Sequence, residues 1–168
     1  MNRYTVAVLV KNQFGVLNRV TSMFRRRQFN ITALTVSETE TSELSRITVV
    51  FGGEEKLKEQ LINQLYKLPD VFSIQEFDEN DSVSYELLLI KMQNDPETRN
   101  DIRNAADAFG AVVVDYAKNS VIFRLTESSR KIDDFINLMK EYTILEICRT
   151  GSVSLEKGST TIRQVTKL

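Results

Sequence analysis

Residues 6–36 read VAVLVKNQFGVLNRVTSMFRRRQFNITALTV, and this stretch decides the fold of the chain. It begins as a buried strand, passes through a short polar loop with a glycine, becomes an amphipathic helix, and ends in a second strand that opens at Asn30. The loop from Lys11 to Gly15 would deliver the N–H groups of a helix start to the end of a sheet. Because unpaired amides and the positive end of a helix dipole both favour an anion, the stretch predicts a carboxylate site.

The residues around this stretch complete one βαββαβ unit. Side chains alternate along the first strand, and the next two β-rich runs are joined by a polar turn, which indicates a hairpin. Leu57, Leu61 and Leu65 recur at helical spacing and are predicted to face the core. The predicted strands cover residues 3–10, 31–36, 44–51 and 71–77, and the predicted helices contain residues 16–24 and 57–68.

The same order of elements recurs after the polar stretch at residues 78–82. Asp95 and Pro96 suit the start of the third helix, and Ser128 or Ser129 suits the start of the fourth. The predicted fold is therefore α+β, with two tandem ferredoxin-like βαββαβ modules. The predicted domains are residues 1–79 and residues 83–168, and the second ends in a polar tail that begins near Gly151 and is expected to be mobile.

Composition removes several classes of function. The chain has 168 residues, a net charge of −1, no histidine and one cysteine, Cys148, which is predicted to be a buried strand thiol. A histidine base and a multi-cysteine metal site are therefore excluded, and no nucleotide-binding or hydrolase motif is present. We predict no catalytic residue and no metal ligand in this chain. The acidic balance opposes nucleic-acid binding, and the absence of an apolar span or a leader pattern predicts a cytoplasmic location without a membrane partner.

Amino-acid sensing is the function of this fold that the residues favour. RNA recognition, metal carriage and acyl phosphate hydrolysis use the same topology. This sequence lacks the aromatic pattern that RNA recognition needs and the cysteine pair that metal carriage needs. A sensor needs a helix start for the carboxylate, side-chain carbonyls for the ammonium group and an apolar pocket, and Gly15, Asn12 and Asn30 offer the polar part. Alternatively, Gly15 only permits a tight turn, Asn12 only caps the helix, and Asn30 only forms a turn.

Several motifs also carry a family resemblance. The run VAVLVKNQFGVLNRVTSMFRRRQFNITALTVSETE, followed by LSRITVVF, resembles the ACT domain of the small, regulatory subunit of acetohydroxyacid synthase (acetolactate synthase). The resemblance continues through QLYKLPDV to EICRTGSVSLEKG, and so covers nearly the whole chain. The N-x-x-G-V-L-x-R-V start, the F-N-I strand opening and the L-S-R strand are together specific to this family.

The resemblance implies a non-catalytic subunit that binds and activates the catalytic large subunit of that synthase. It also implies feedback inhibition by valine in branched-chain amino-acid (valine, leucine, isoleucine) biosynthesis, and a homodimer in which two ACT domains pair with the effector at their interface. Thiamine diphosphate, FAD and Mg would belong to the catalytic subunit, so this chain is expected to bind no cofactor. The implied effector-binding positions are Asn12, Gly15, Val16, Leu17, Asn30 and Ile31.

Two features of the sequence bear on where an effector can bind. The family often has a glycine where this chain has Gln28, so a left-handed backbone there would strain the turn before Asn30. The second module has no matching Asn-x-x-Gly loop and is predicted to serve association rather than to bind an amino acid. The alternatives to the regulatory-subunit interpretation are a free-standing ACT-type sensor of a different enzyme and a stand-alone enzyme on the same scaffold.

Overall fold

The computed structural model describes residues 2–165, which form two compact units. The first unit contains residues 2–84 together with residues 151–165, and the second contains residues 85–150. Within the described residues, no helix is long and apolar enough to cross a membrane.

The first unit is a four-stranded antiparallel sheet with two helices on one face. Its elements are β1 (Asn2–Lys11), α1 (Val16–Arg26), β2 (Ile31–Glu38), β3 (Leu44–Gly53), α2 (Glu55–Leu65) and β4 (Val71–Phe77). The strand order is β2-β3-β1-β4, so β2 and β4 are the edges. This is the βαββαβ arrangement that the sequence predicts.

Alternation along β1 separates the two faces of this sheet. Val6, Val8 and Val10 lie in the core together with Val20 and Phe24 of α1. Ala7 and Leu9 point to the opposite face, where they form a second, smaller cluster.

The prediction for the second helix is wrong at one position. Leu57 is 38% exposed, whereas the neighbouring Lys58 is buried. The Lys58 ammonium contacts Glu55 and Glu76, at 2.5 Å from each carboxylate. Its charge is therefore paired, and the stem of the lysine can take the place beside Leu61 that an aliphatic residue would otherwise occupy.

The second unit repeats the topology. Its elements are β5 (Ser82–Gln93, of which the first three residues belong to the first unit), α3 (Arg99–Phe109), β6 (Val112–Tyr116), β7 (Ser120–Glu127), α4 (Ser129–Met139) and β8 (Ile144–Arg149), in the order β6-β7-β5-β8. The Ser128 hydroxyl accepts a hydrogen bond from the Lys131 amide and caps α4, as predicted. The third helix begins later than predicted, with Thr98 rather than Asp95 at the cap position.

Cys148 is exposed, so the prediction of a buried thiol is wrong. It pairs with Leu89 across β8 and β5, and Leu89 is itself 38% exposed. Its neighbours Leu88 and Ile90 point to the other face and lie in the core. Apolar residues occupy both faces of β8, and Cys148 lies on the face that carries no helix.

Residues 151–165 pack on the first unit, which corrects the predicted mobile tail over these residues and the predicted extent of the second domain; the last three residues of the predicted tail lie outside the described residues. They form β9 (Val153–Glu156), which pairs with β5, and a short 3-10 helix (Ile162–Gln164). Ile162 is buried against Ala7 and Leu9, on the face of the first sheet opposite the helices. One apolar side chain thus anchors a segment whose composition is otherwise polar.

Candidate functional site

The loop between β1 and α1 presents free backbone amides at its helix start. Gly15 occupies the cap position in a left-handed conformation, with φ of 82° and ψ of −9°. Among the described residues, the N–H groups of Gly15 and Leu17 have no acceptor. These amides and the dipole of α1 can bind an anion. The left-handed backbone conformation favours glycine, because glycine has no Cβ.

Asn12 holds the loop to the turn between β2 and β3. Its backbone N–H donates to the Glu43 carbonyl at 2.8 Å, and its Nδ2 donates to Glu38 Oε1 at 2.9 Å and to the Ser42 carbonyl at 2.8 Å. No side chain caps α1, so Asn12 is not the helix cap that the alternative interpretation supposed. Asn12 is exposed, and its Oδ1 is available to accept from an ammonium group.

The base of the loop is fixed by an acidic residue before β4. The Arg19 guanidinium contacts the Asp70 carboxylate at 2.7 Å, and the Lys11 N–H donates to the Asp70 carbonyl at 2.9 Å. Val16 is only 2% exposed and points into the core, whereas Leu17 is 40% exposed. Of these two predicted site residues, only Leu17 can therefore offer a side chain to a ligand, and Val16 contributes backbone alone.

Asn30 and Ile31 lie at the start of β2, after a strained turn. Asn30 is exposed and Ile31 is half-buried. Gln28 has a φ of 58°, which is the left-handed conformation that a glycine would adopt without strain. The Phe29 N–H still bonds to the Phe24 carbonyl at 3.0 Å, so the turn closes despite Gln28.

The two halves of the predicted site lie at opposite ends of β2. Asn12 bonds to Glu38, the last residue of this strand, whereas Asn30 directly precedes its first residue. The strand has eight residues, so its ends are about 23 Å apart at roughly 3.3 Å per residue. A single chain therefore does not bring Asn12 and Asn30 to one ligand.

The edge strand β2 leaves apolar side chains uncovered. Leu34 and Val36 are 37% and 42% exposed, although each pairs with a core residue of β3, Val49 and Ile47 respectively. They lie on the face of the sheet that carries the helices, at the edge where the sheet stops. An uncovered edge with exposed apolar residues invites pairing with another chain.

The ion cluster around the buried Lys58 is structural rather than a binding site. Burial lowers the pKa of Lys58, but the hydrogen bonds that its ammonium group donates to Glu55 and Glu76 outweigh this effect and raise the pKa. The hydrogen bond from Lys58, followed by that from Tyr4, lowers the pKa of Glu55. The cluster ties α2 to β1 and β4 and holds all of its groups in their charged or hydrogen-bonded forms. No sequence pattern identified it, because Glu76 is distant along the chain.

Comparison with known proteins assigns both units. Residues 6–73 match the family model of the AHAS small subunit-like ACT domain, and residues 85–158 match the model described as the small subunit of acetolactate synthase. The chain is 44% identical over 157 residues to a probable acetolactate synthase small subunit from Archaeoglobus fulgidus, covering 94% of this chain and 98% of that protein.

Further relatives agree along nearly the full length. The chain is 41% identical over 155 residues to the acetolactate synthase small subunit of Bacillus subtilis, covering 92% of this chain and 90% of that protein. The crystal structure of the acetolactate synthase small subunit from Thermotoga maritima superposes with a TM-score of 0.85 at 33% identity, covering 95% of this chain and all of that one.

Proposed function

The chain belongs to the family of acetolactate synthase small subunits, and we propose that it is a non-catalytic regulatory subunit which activates the catalytic large subunit and confers feedback inhibition by valine. The observation that carries the valine site is the helix start at Gly15, where free amides lie beside Asn12. The proposal assigns the chain to branched-chain amino-acid biosynthesis in the cytoplasm. Thiamine diphosphate, FAD and Mg are assigned to the large subunit.

The effector site is proposed to form between two copies of the chain. Antiparallel pairing of β2 with β2 of a second copy would set the start of one strand beside the end of the other. Asn30 of one copy would then approach Asn12 and Gly15 of its partner, which the distance along β2 forbids within one chain. The exposed Leu34 and Val36 support this edge as the contact.

Each part of valine has a matching group in this arrangement. The amides of Gly15 and Leu17 would bind the carboxylate, supported by the dipole of α1. The side-chain oxygens of Asn12 and Asn30 would accept from the ammonium group without titrating, since amides carry no charge. Leu17 and Ile31 offer apolar surface to the isopropyl group, and Val16 offers only backbone.

Regulation would follow from a difference in valine affinity between two arrangements of the dimer. A ligand shifts such an equilibrium only by its differential affinity, typically about 1–3 kcal/mol, so partial inhibition is the expected outcome. The second unit lacks a comparable helix start, since α3 begins after Pro96 and Thr98. It is therefore assigned to association and not to valine binding.

The test is acetolactate formation by the cognate catalytic subunit, with and without this chain, across a valine titration. Stimulation that valine reverses is the expected result. A free-standing sensor of another enzyme would bind valine by calorimetry yet fail to stimulate the synthase, which would overturn the regulatory-subunit proposal. Acetolactate formation by this chain alone would contradict its non-catalytic role.

A further inference from the structure

A cleft lies between the C-terminal segment and the face of the first sheet that carries no helix. Its volume is about 470 Å³, which is within the range of small-molecule sites. Leu9 and Arg46 of the sheet form its floor, and residues 155–163 form one wall. We call it the C-terminal cleft. It lies within the first unit and opens on the face opposite α1.

Arg46 brings a cation into this cleft without a carboxylate partner. Its Nη2 donates to the Ser154 carbonyl at 2.7 Å, and its Cζ lies 5.6 Å from the centre of the Phe77 ring. Among residues 2–165, no carboxylate lies within ion-pair distance of Arg46. Burial lowers the pKa of Arg46. A partly buried guanidinium with donors to spare gains from an anion placed beside it.

The carboxylates that line the cleft are already engaged elsewhere. Glu38 accepts from Asn12 at 2.9 Å, Glu40 pairs with Arg163 at 2.8 Å, and Glu156 accepts from the Gln75 amide. These three groups do not neutralise Arg46, but they do surround the cleft with negative charge. They therefore disfavour a ligand with more than one negative charge.

The cleft also has an apolar part, formed by Leu9, Leu155 and Ile162 among hydroxyl and amide groups. Leu9 of the floor and Ile162 of the wall are buried, and Leu155 is 63% exposed. We propose that the C-terminal cleft is a second small-molecule site, which binds a monocarboxylate with a short aliphatic chain through Arg46. The carboxylate contacts the guanidinium, and the aliphatic chain covers Leu155 and Ile162. This proposal does not rest on the proposed function.

The experiment uses the full chain without added valine and follows its amide and arginine Nε resonances by NMR, so that the residues that shift separate binding in the cleft from binding near Gly15. The probes are isobutyrate, its neutral isostere isobutyramide, and inorganic phosphate. Isobutyrate is expected to shift Arg46 and residues 154–163 with a saturable, millimolar dependence, as befits a ligand of few atoms. Isobutyramide and phosphate should bind on the order of tenfold more weakly.

Two variants separate the charge of Arg46 from its structural role. Arg46→Gln should weaken isobutyrate binding by about tenfold, and Arg46→Lys should retain most of it. Arg124→Gln, at an exposed arginine of β7, is the matched control and should change nothing. The proposal is overturned if Arg46→Gln binds isobutyrate as wild type does, or if isobutyramide or phosphate binds as well as isobutyrate. It is also overturned if isobutyrate shifts no residue of the cleft. Should Arg46→Gln fail to fold, the Arg46→Lys variant and the isobutyramide comparison carry the test.

Discussion

Gln28 is the residue at which the sequence places a side chain on a backbone that favours glycine. Its φ of 58° costs a residue with a Cβ about 1–2 kcal/mol. Glycine avoids this cost, but part of the gain is offset because glycine loses more conformational entropy on folding. Gln28→Gly is therefore expected to raise the free energy of unfolding by about 0.5–1 kcal/mol, measured by urea denaturation. Arg26→Gly, in the last turn of α1, is the matched control and should lower it by a similar amount. Destabilisation by both variants would contradict strain at Gln28.

Gly53 is required for space rather than for its backbone angle. A Cβ there would lie 2.5 Å from Cε1 of Phe29, which is buried against Phe24 and Phe51. Gly53→Ala should cost about 1–3 kcal/mol of unfolding free energy, because the ring must move within a packed core. At Gly52 a Cβ would meet only the Asn2 carbonyl oxygen at 3.8 Å, so Gly52→Ala should be close to neutral. Equal losses from the two variants in urea denaturation would rule out this steric explanation.

Individual residues mark the limit of what local sequence could predict. Gly15 was predicted correctly as the start of α1, because the apolar residues take helical spacing directly after it. Leu57 was predicted to be buried, but Lys58 is buried instead. Its charge is paired by Glu76 of β4, which local sequence around α2 does not reveal. For Cys148, apolar residues on both faces of β8 left no pattern to say which face the core would cover.

At the scale of elements, the ion cluster that joins α2 to the sheet makes stability depend on pH. Hydrogen bonds from Lys58 and Tyr4 lower the pKa of Glu55, so its folded form stays ionised at a pH where the unfolded form takes up a proton. This contribution is present above the ordinary glutamate pKa and is lost as the pH falls through the lowered value. Lys58→Met should therefore flatten the acid dependence of the unfolding free energy, measured by urea denaturation at several pH values.

The matched control for this experiment lies on the same helix. Lys56 is exposed, and Lys56→Met removes the same charge without touching the cluster. Its acid dependence should follow that of wild type. An unchanged slope in Lys58→Met, or an equally flattened slope in Lys56→Met, would show that Glu55 does not carry the effect.

The order of elements could be predicted because each has its own period and its own breakers. The alternation of β1 and the stripe of α1 follow from which residues must leave water. The C-terminal segment could not be predicted in the same way. Its attachment depends on Ile162 and on hydrogen bonds from Arg46 and Gln75, which belong to strands far away in the sequence.

At the scale of the whole molecule, the family resemblance implied an effector site between two chains, but local sequence did not show why the proposed valine-site residues would need two chains. Asn12 and Asn30 are 18 positions apart, yet the antiparallel sheet sends them to opposite ends of β2. Only the register of β1, β2 and β3 reveals this separation, and register depends on pairing between strands. A site built from both residues therefore requires two chains.

This requirement gives a prediction that a site within one chain would not share. Asn12→Ala and Asn30→Ala should each abolish valine binding by calorimetry, because each removes one polar contact from both sites of a two-fold dimer. Mixing the two variants, with exchange of subunits, should restore it in part. In the mixed dimer one site carries both alanines, and the other carries both asparagines. Random exchange makes about half of the dimers mixed, so about a quarter of the wild-type sites should return.

The stoichiometry of the mixture is the decisive measurement, because the restored sites should have wild-type affinity. A mixture of Asn12→Ala with itself, refolded in the same way, controls for recovery caused by the treatment. No restoration, despite exchange shown by mass spectrometry of labelled chains, would mean that Asn12 and Asn30 do not share a ligand. The antiparallel pairing of β2 would then lose its main support, and the valine site would have to be sought around Gly15 alone.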